Sequence, residues 1–473
     1  MRNNTIILIG CLAALILRLT LAAQAPTLAP EAYDTVRQAE HIAETGVPFQ
    51  TDPLTPNNEP RTVLPVFPYL VAFGTILVGE YAYILIPNLL AVLLHAALFL
   101  LVLELTQNRA LATTALFTSI AIPSYLAATL LTTSSLALAI PLTIFILTLF
   151  IKLRKSREKR NILLIATVIL LATHPIGLLI VPVFLVALAF ATIRRARELT
   201  IQYDFAIFTT FLAAWSYILL YKQTILLHGL SVIQGNIPQA IQLAQYGAPD
   251  LLTFGLAVGV LPFGLAIYAA YKEGAAQHTG IQATIAFTIV AFLATVFKVV
   301  PTSIGVTLVA TGCIALAAVG LEWLIAYVKT MRETTLPHTG IVIGVLVFII
   351  TSIVPTIIIG ITATTTTIPP EVLDAGYWLR DNSLPDAMII AQPAWGSALA
   401  WTSKRPVFIN QEYLSNPSSE ESYDITTRIL AGTNVKNLAE ELRIEYVVSD
   451  IKITHNCLNE VHTDTVRIMK VLC

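Results

Sequence analysis

The chain opens with TIILIGCLAALILRLTLAAQAPTLAPEAYDTVRQAEHIAETG (residues 5–46), an apolar run followed directly by a polar segment. Residues 5–23 are long and apolar enough to cross a membrane as one helix. Residues 31–46 place six charged or titratable side chains in sixteen positions, although the chain is 56% hydrophobic and only 12% charged. The first run lacks a small-residue cleavage site with suitable flanks, so we interpret it as a retained span. These features predict a membrane protein with a polar segment directly after its first helix.

Clusters of basic residues orient the predicted bundle, because loops rich in lysine and arginine stay on the cytoplasmic side. KLRKSREKR (152–160) and RRAR (194–197) are two such clusters. Both stay inside if residues 161–193 form two short spans that turn at His174, next to a proline. The same reasoning makes residues 64–79 an interfacial segment. We therefore expect a multi-pass plasma-membrane protein with a cytoplasmic N-terminus and about eleven spans. The predicted spans are residues 5–23, 82–106, 110–128, 136–152, 161–173, 176–193, 203–221, 251–271, 281–297, 303–328 and 340–360.

This orientation predicts three external parts: loop 24–62, loop 222–250 and everything after residue 361. A threonine-rich stretch, residues 362–370, begins a C-terminal domain at residues 362–473 that follows the membrane domain at residues 1–361. Strand-like and helix-like segments alternate there, which predicts a small external α/β domain. The strand-like segments are AMIIAQ, PVFIN, EYVVSD and TVRIMKVL, and the helix-like segments are PPEVLDAGYWLRDNSLPD, GSALAWTS and NVKNLAEELR.

The four cysteines show neither a disulfide framework nor metal-ligand spacing. Cys11 and Cys313 lie in apolar runs and are most simply core residues. Cys457 and Cys473 both lie in the predicted external domain, where an oxidising exterior permits a disulfide. Two free thiols are the alternative.

The polar segment after the first span is bounded by a proline and a glycine, which predicts an external helix. At 3.6 residues per turn, Glu31, Asp34 and Gln38 share one face, with Arg37 beside them. A carboxylate pair can bind a divalent cation or accept a proton, and an arginine suits a phosphate. The alternative is a solvated amphipathic helix without a chemical role.

The order of these motifs resembles the GT-C glycosyltransferases, most closely the catalytic subunit of prokaryotic oligosaccharyltransferases. EAYDTVR (31–37), followed by Arg61 before LPVFPYL, resembles the first external loop of that family, and PSYLAATLLTTSSLALAIPLTIF (123–145) its second loop and next span. Three further stretches, within residues 230–255, 298–324 and 375–410, resemble a later catalytic loop, a late span and the start of the external domain. The resemblance implies transfer of a sugar or glycan from a polyprenyl-phosphate carrier, usually with Mg²⁺ or Mn²⁺. The acceptor would be a protein, lipid or glycan at the outer face, and no nucleic acid is expected as a partner.

Several acids of the family pattern are missing. The first-loop aspartate falls on Glu31, the second-loop acidic pair on TTSS (132–135), and the later glutamate near Gln234. Of a Trp-Trp-Asp motif for the acceptor, only Trp395 and Gly396 correspond. A divalent site built from Glu31 and a neighbouring aspartate alone would be weak. A metal-free enzyme, with a carboxylate near the acceptor and cations on the leaving phosphate, is therefore the alternative.

Five basic residues are candidates for contact with the donor phosphate: Arg37, Arg61, Arg18, Lys298 and His174. Arg18 lies near the outer end of the first span, where a charge is either functional or reaches the interface by snorkelling. His174 lies at a predicted turn, where capping of free carbonyls is favoured over a pocket role. Lys298 follows an apolar span on the outer side, where the resemblance implies a basic residue that meets the phosphate.

Three functions fit these observations to different degrees. In a glycosyltransferase, Glu31 with Asp34 would act as general base or metal ligand, and Gln234, Trp395 and Gly396 would lie on the acceptor side. In a catalytically degenerate relative, the same face would bind lipid-linked glycan or a partner protein. A secondary transporter is disfavoured, since the sequence shows no inverted repeat and few charges at mid-membrane.

Overall fold

The structure is a computed structural model that describes residues 3–56, 64–153, 159–193, 200–228, 237–247, 251–273, 278–330, 347, 349–411 and 418–473. The helices up to residue 330 are α1 Asn3–Ala22, α2 Ala32–Thr45, α3 Val66–Val78, α4 Ala82–Ala91, α5 Leu93–Thr106, α6 Arg109–Ile120, α7 Pro123–Thr129, α8 Leu136–Leu153, α9 Lys159–Leu171, α10 Ile180–Ile193, α11 Thr200–His228, α12 Gln239–Tyr246, α13 Leu251–Val258, α14 Val260–Glu273, α15 Thr279–Val296 and α16 Thr302–Thr330. The remaining elements are α17 Val354–Thr365, α18 Pro370–Asn382, β1 Met388–Ile390, α19 Pro393–Ser403, α20 Ser419–Leu430, α21 Val435–Leu442, β2 Ile444–Ser449, β3 Leu458–Thr463 and β4 Arg467–Val471.

The described part of the chain contains eight helical segments long and apolar enough to cross a membrane. Eight of the eleven predicted spans correspond to these segments, so the prediction of a multi-pass helical protein is confirmed. The other three are not single helices of the length that a crossing requires, although α6 and α7 together are long and apolar enough to count as a ninth, broken span. The span at 110–128 bends by 55° between α6 and α7, α9 has only 13 residues, and the span at 251–271 breaks at Gly259, whose φ is 93°.

The bundle packs around α16, which contacts α5, α6, α14 and α15. Small residues allow this close packing, as is usual between membrane helices. A Cβ atom at Gly320 of α16 would overlap the carbonyl oxygen of Leu265 in α14, so only glycine permits the two backbones to approach. On the same bundle, Lys152 at the end of α8 pairs with Glu104 of α5 at 3.7 Å.

The predicted interfacial segment is α3, followed by a 3₁₀ turn at Gly79–Tyr81. Phe67 and Val71 of α3 are buried, whereas Phe73, Ile76 and Leu77 are exposed. The apolar stretch Val66–Thr106 has 41 residues, about 60 Å of helix and twice the thickness of the hydrocarbon core. One crossing cannot accommodate that length, so an interfacial position for α3 stays consistent with the structure.

The C-terminal segment forms a four-stranded sheet in the order β1-β2-β4-β3, with β1 parallel to β2 and the other pairs antiparallel. Helices cover both faces: Val448 packs with α18 and α19, and Val447 packs with α20 and α21. The predicted α/β domain is therefore confirmed. PVFIN makes only an isolated bridge between Val407 and Ile389, while β3 and α20 were not predicted. Cys457 and Cys473 are joined in a disulfide.

The segment after α1, predicted to be an external loop, shares one hydrophobic core with the C-terminal domain. Residues of α2, α3, α18, α19 and the sheet all belong to this core. Two backbone hydrogen bonds join the same parts: Ile368 N–H donates to the Leu28 carbonyl and Val407 N–H to the Leu54 carbonyl, each at 3.0 Å. The C-terminal domain therefore packs directly on the loop that carries the candidate acids.

Candidate functional site

Helix α2 displays the two candidate carboxylates at its N-terminal end. Glu31 occupies the N-cap position, is exposed, and makes no side-chain capping bond to the described residues. Asp34 lies in the first turn and is half-buried. The positive end of the helix dipole favours carboxylates at this position. Gly46 ends α2 in the left-handed conformation, with a φ of 81°, as the sequence predicts.

Arg37 does not face the same side as the acids. It is buried and donates to both carboxylate oxygens of Asp52, from Nη1 at 3.1 Å and from Nη2 at 2.5 Å. Its guanidinium also lies 5.6 Å from the ring centre of Phe49. The guanidinium that we expected to bind phosphate is therefore paired with Asp52. In this structure, Arg37 holds the loop against α2.

Asp52 was missed by the sequence analysis, although the Asp-Pro pair in TDPLTP indicates a turn. Its Oδ1 also accepts the backbone N–H of Leu54 at 3.0 Å. Because the Leu54 carbonyl accepts from Val407, the loop is fixed between α2 and the C-terminal domain. The buried Asp52 carboxylate thus holds the loop after α2 close to the helix that carries the candidate acids.

Glu40 lies on the side of α2 opposite Glu31. It is a second residue that no sequence pattern indicated. Its Oε1 accepts from Trp401 Nε1 at 2.7 Å and from the Tyr83 hydroxyl at 3.2 Å. Its Oε2 accepts from Lys404 Nζ at 3.2 Å. Trp401 also packs against Tyr33 of α2, with 5.4 Å between ring centres, and burial raises the pKa of Tyr33 to about 12. Donors from α4, from α19 and from the residue after it therefore converge on one carboxylate.

Arg18 is buried inside the bundle near the C-terminal end of α1. Its Nε donates to Asn88 Oδ1 at 2.8 Å and its Nη2 to Thr129 Oγ1 at 2.7 Å, and its guanidinium lies 5.6 Å from the ring centre of Tyr125. Asn88 in turn donates to the Leu130 carbonyl at 3.0 Å. These bonds connect α1 and α4 to the end of α7, so Arg18 is held inside the bundle and does not snorkel.

His174 and Lys298 lie at turns that follow α9 and α15. His174 Nδ1 accepts the backbone N–H of Ile176 at 3.1 Å and caps a 3₁₀ helix at Pro175–Leu179, which agrees with the capping role favoured from the sequence. Lys298 is exposed directly after α15, with a φ of 57°. Four residues on, Thr302 donates to the Gly247 carbonyl at 2.8 Å. Gly247, in the predicted loop 222–250, therefore lies near the turn that carries Lys298.

The two acceptor-side candidates that the structure describes, Trp395 and Gly396, are packed inside the protein. Trp395 is 7% exposed and belongs to the core shared with α2. A Cβ atom at Gly396 would overlap the carbonyl oxygen of Ile409, so Gly396 permits close packing of α19 on the following segment. Both residues serve packing in this structure, which differs from the acceptor role that the resemblance implied. Arg61 and Gln234 lie outside the described residues.

The metal expectation has little support from the donor set. Within the described ranges, no group of three or more histidine, cysteine, aspartate or glutamate side chains could hold a metal ion. Glu31 and Asp34 offer two carboxylates, whereas divalent cations in proteins are usually held by more oxygen ligands. We therefore derive no chemical step through a metal.

No protein-family model and no curated protein sequence matches the chain. Solved structures do match. The oligosaccharyltransferase AglB from Archaeoglobus fulgidus, in complex with an inhibitory peptide and a dolichol-phosphate, is 16% identical with a TM-score of 0.69, over 95% of this chain and 69% of AglB. ArnT from Cupriavidus metallidurans, bound to undecaprenyl phosphate, is 14% identical with a TM-score of 0.61, over 98% of each chain. The arabinofuranosyltransferase AftD from Mycobacteria is 16% identical with a TM-score of 0.53, over 98% of this chain and 40% of AftD. At these identities the likeness establishes the fold.

Proposed function

We propose that this chain, whose fold is that of the GT-C membrane glycosyltransferases, transfers a sugar or glycan from a polyprenyl-phosphate carrier to an acceptor at the outer membrane face. The observation that carries the proposal is the exposed Glu31 at the positive end of α2, in a fold shared along almost the whole chain with AglB and ArnT. Fold alone does not determine function, so the proposal depends on this carboxylate and its surroundings.

The donor class follows from the lipids in the similar structures. AglB is in complex with a dolichol-phosphate and ArnT is bound to undecaprenyl phosphate. Both lipids are polyprenyl phosphates, and the apolar bundle of this chain would let such a carrier approach from the bilayer. The identity of the sugar and the class of acceptor are left open by the proposal.

In the proposed reaction, the Glu31 carboxylate takes the proton from the acceptor hydroxyl or amide. The acceptor atom then bonds to the anomeric carbon of the donor sugar, the bond between that carbon and the phosphate oxygen breaks, and the phosphate leaves with the electron pair. Lys298 supplies positive charge on the outer side for the departing phosphate, which is the kind of stabilisation that usually contributes most. Asp34, one helical turn from Glu31, is not required as a base in this step.

Arg37 and Arg18 have no place in this mechanism. Arg37 is paired with Asp52, and Arg18 donates to Asn88 and Thr129 inside the bundle. The C-terminal domain contributes by packing on α2, since it belongs to the same core. The proposal therefore assigns the base to Glu31, at the N-terminal end of α2, and the positive charge for the leaving phosphate to Lys298.

The test is a transfer assay with purified protein in lipid nanodiscs. A radiolabelled pool of polyprenyl-phosphate sugars is supplied with lipid, peptide and glycan acceptors, with and without EDTA. Transfer that Glu31→Gln abolishes and Glu44→Gln leaves intact supports the proposal, and loss with EDTA would add a metal to it. Saturable donor binding without turnover would instead identify a catalytically degenerate relative.

A further inference from the structure

Helix α2 needs a directional anchor if Glu31 is to hold a fixed position. Glu31 is exposed and makes no capping bond to any described residue, so its place depends on how α2 as a whole is held. The apolar side of α2 is buried in the core shared with the C-terminal domain, with Ala32, Tyr33, Val36, Ala39 and Ile42. Apolar burial by itself is not directional. Hydrogen bonds to neighbouring elements add directional constraints.

The Arg37–Asp52 pair cannot do this alone. Asp52 lies only fifteen residues after Arg37, in the same external loop. The pair fixes the loop to the helix, since both partners belong to the same part of the chain. Glu40, three residues after Arg37 on α2, accepts hydrogen bonds from side chains outside this loop.

Glu40 bonds to three donors far away in the sequence. Tyr83 opens the membrane helix α4, Trp401 lies in α19 of the C-terminal domain, and Lys404 follows that helix. An ionised carboxylate only accepts, and indole N–H and ammonium groups only donate, so the direction of each bond is fixed. Bonds to a charged acceptor are also stronger than neutral ones. The carboxylate therefore joins the candidate catalytic helix to both the membrane domain and the external domain.

We propose that Glu40 is a positioning residue for Glu31, acting through Trp401 and Tyr83 from about 13 Å along the axis of α2. This inference rests on the proposed transfer function. It also gives the C-terminal domain a defined role, because the indole N–H of Trp401 sets the rotation of α2 and the Trp401 ring packs on Tyr33 of the same helix.

Two near-isosteric variants test the positioning role. Glu40→Gln keeps the side-chain size but leaves one acceptor oxygen, and Trp401→Phe keeps an aromatic ring against Tyr33 while removing the N–H. We expect kcat to fall by between about 10-fold and 100-fold, as for a small misplacement of a catalytic group, with donor KM changed less than about twofold. Trp378→Phe is the matched control, because Trp378 stacks on His462 in the same domain and is not one of the three donors to Glu40. Unchanged kcat in folded Glu40→Gln would overturn the proposal.

Non-additivity separates positioning from general damage. If Glu40 and Trp401 act through one link, the double variant should be no slower than the slower single variant. If the fold-reduction in kcat of the double variant equals the product of the two single reductions, the two residues act independently, and the link is overturned. Should Glu40→Gln fail to fold, Tyr83→Phe removes a single hydroxyl and is measured in the same way.

A distance measurement tests the same tether without any transfer assay. Spin labels at positions 44 and 436, both exposed, are introduced after Cys11 and Cys313 have been replaced by alanine. We expect a narrow distance distribution in the parent protein and a broader one in Glu40→Gln. An unchanged distribution overturns the tether. A wild-type protein that transfers no sugar would instead refute the proposed function, while this measurement would still decide whether Glu40 holds α2.

Discussion

The guanidinium of Arg37 donates to both carboxylate oxygens of Asp52, with side chains 5% and 0% exposed. Removal of one partner from a buried pair of this kind strongly lowers stability, because the other charge then stays buried without a partner. The pair also explains why an arginine next to two acids in the sequence lies away from them in the structure. It holds the loop that returns beside α2, where the Leu54 carbonyl accepts a backbone hydrogen bond from the C-terminal domain.

Removing the charge of Asp52 should therefore destabilise the external part of the protein. We expect Asp52→Asn to lower the free energy of unfolding by about 3–5 kcal/mol, measured by thermal or denaturant unfolding in detergent. Asp381→Asn is the control, because Asp381 pairs with Arg380 on the surface and such pairs contribute about 1 kcal/mol or less. Equal stability of the two variants would make Arg37 a candidate phosphate ligand again.

Glu31 should be the least replaceable carboxylate for transfer. Glu31→Gln keeps size and hydrogen bonding but removes the base, so transfer should fall by a factor of about 10² to 10⁴. Folding should be unaffected, since Glu31 is exposed. Glu31→Asp should retain partial activity, and Glu44→Gln, exposed at the far end of α2, should be silent. Wild-type rates in Glu31→Gln would make this segment an ordinary solvated helix.

Asp34 distinguishes a metal-dependent enzyme from a metal-free one. A metal held by both acids requires Asp34, so Asp34→Asn and EDTA should each abolish transfer in that case. In a metal-free enzyme, neither Asp34→Asn nor EDTA should reduce the transfer rate. We expect this second result, because the proposed mechanism uses no metal. Rate measurements over a series of Mg²⁺ and Mn²⁺ concentrations would check it.

Gly396 should not accept a side chain. The Cβ atom of Gly396→Ala would overlap the Ile409 carbonyl oxygen and lie 2.9 Å from the Cα atom of Asn410, and backbone atoms cannot easily yield. We expect a loss of about 1–3 kcal/mol in unfolding free energy. Gly264→Ala is the control, because no atom lies within 4 Å of the position that its Cβ atom would take, and a helical alanine should be stabilising by about 0.5–1 kcal/mol. Transfer activity lost without loss of stability would point to an acceptor role for Gly396.

His174 should be replaceable by any good cap. His174→Asn keeps an acceptor for the Ile176 N–H, so both stability and transfer should be preserved. His174→Ala removes the acceptor and should cost about 0.5–2 kcal/mol. A strong loss of donor affinity in His174→Asn, with normal stability, would show that the imidazole contacts the donor instead.

The C-terminal domain should be reachable from outside the cell. Lys436 is exposed on α21, so Lys436→Cys should react with an impermeant maleimide in intact cells. Arg160→Cys, at the end of the basic cluster that we expect in the cytoplasm, should react only after permeabilisation. The reverse pattern would invert the orientation and move the proposed site to the cytoplasmic face. In the same cells, Cys457 and Cys473 should resist alkylation until they are reduced.

The sequence predicted those parts of the architecture that depend on one local property, such as the length of an apolar run. Long apolar runs give membrane helices because backbone groups must bond internally in lipid, and alternating short segments indicated the α/β domain. The helix after the first span and its glycine cap were predicted from local signals, and these persist in the structure. Breaks inside spans were harder to predict: Gly259 interrupts one helix and a 55° bend another, since neighbouring helices decide whether a break is tolerated.

The pairing of side chains was decided by tertiary structure alone. Helical spacing places Arg37 beside Glu31 and Asp34, but the carboxylate that packing buries with it belongs to Asp52. Glu40 meets Trp401 across 361 positions of sequence, which no local pattern could indicate. A charge buried in a folded protein is stabilised by whichever group the fold brings within hydrogen-bond distance, and that distance is set by the packing of α2 on α3, α4 and α19. The sequence thus determined which residues carry charge and which segments cross the membrane, while the fold decided which charges are neutralised and which, like Glu31, are exposed.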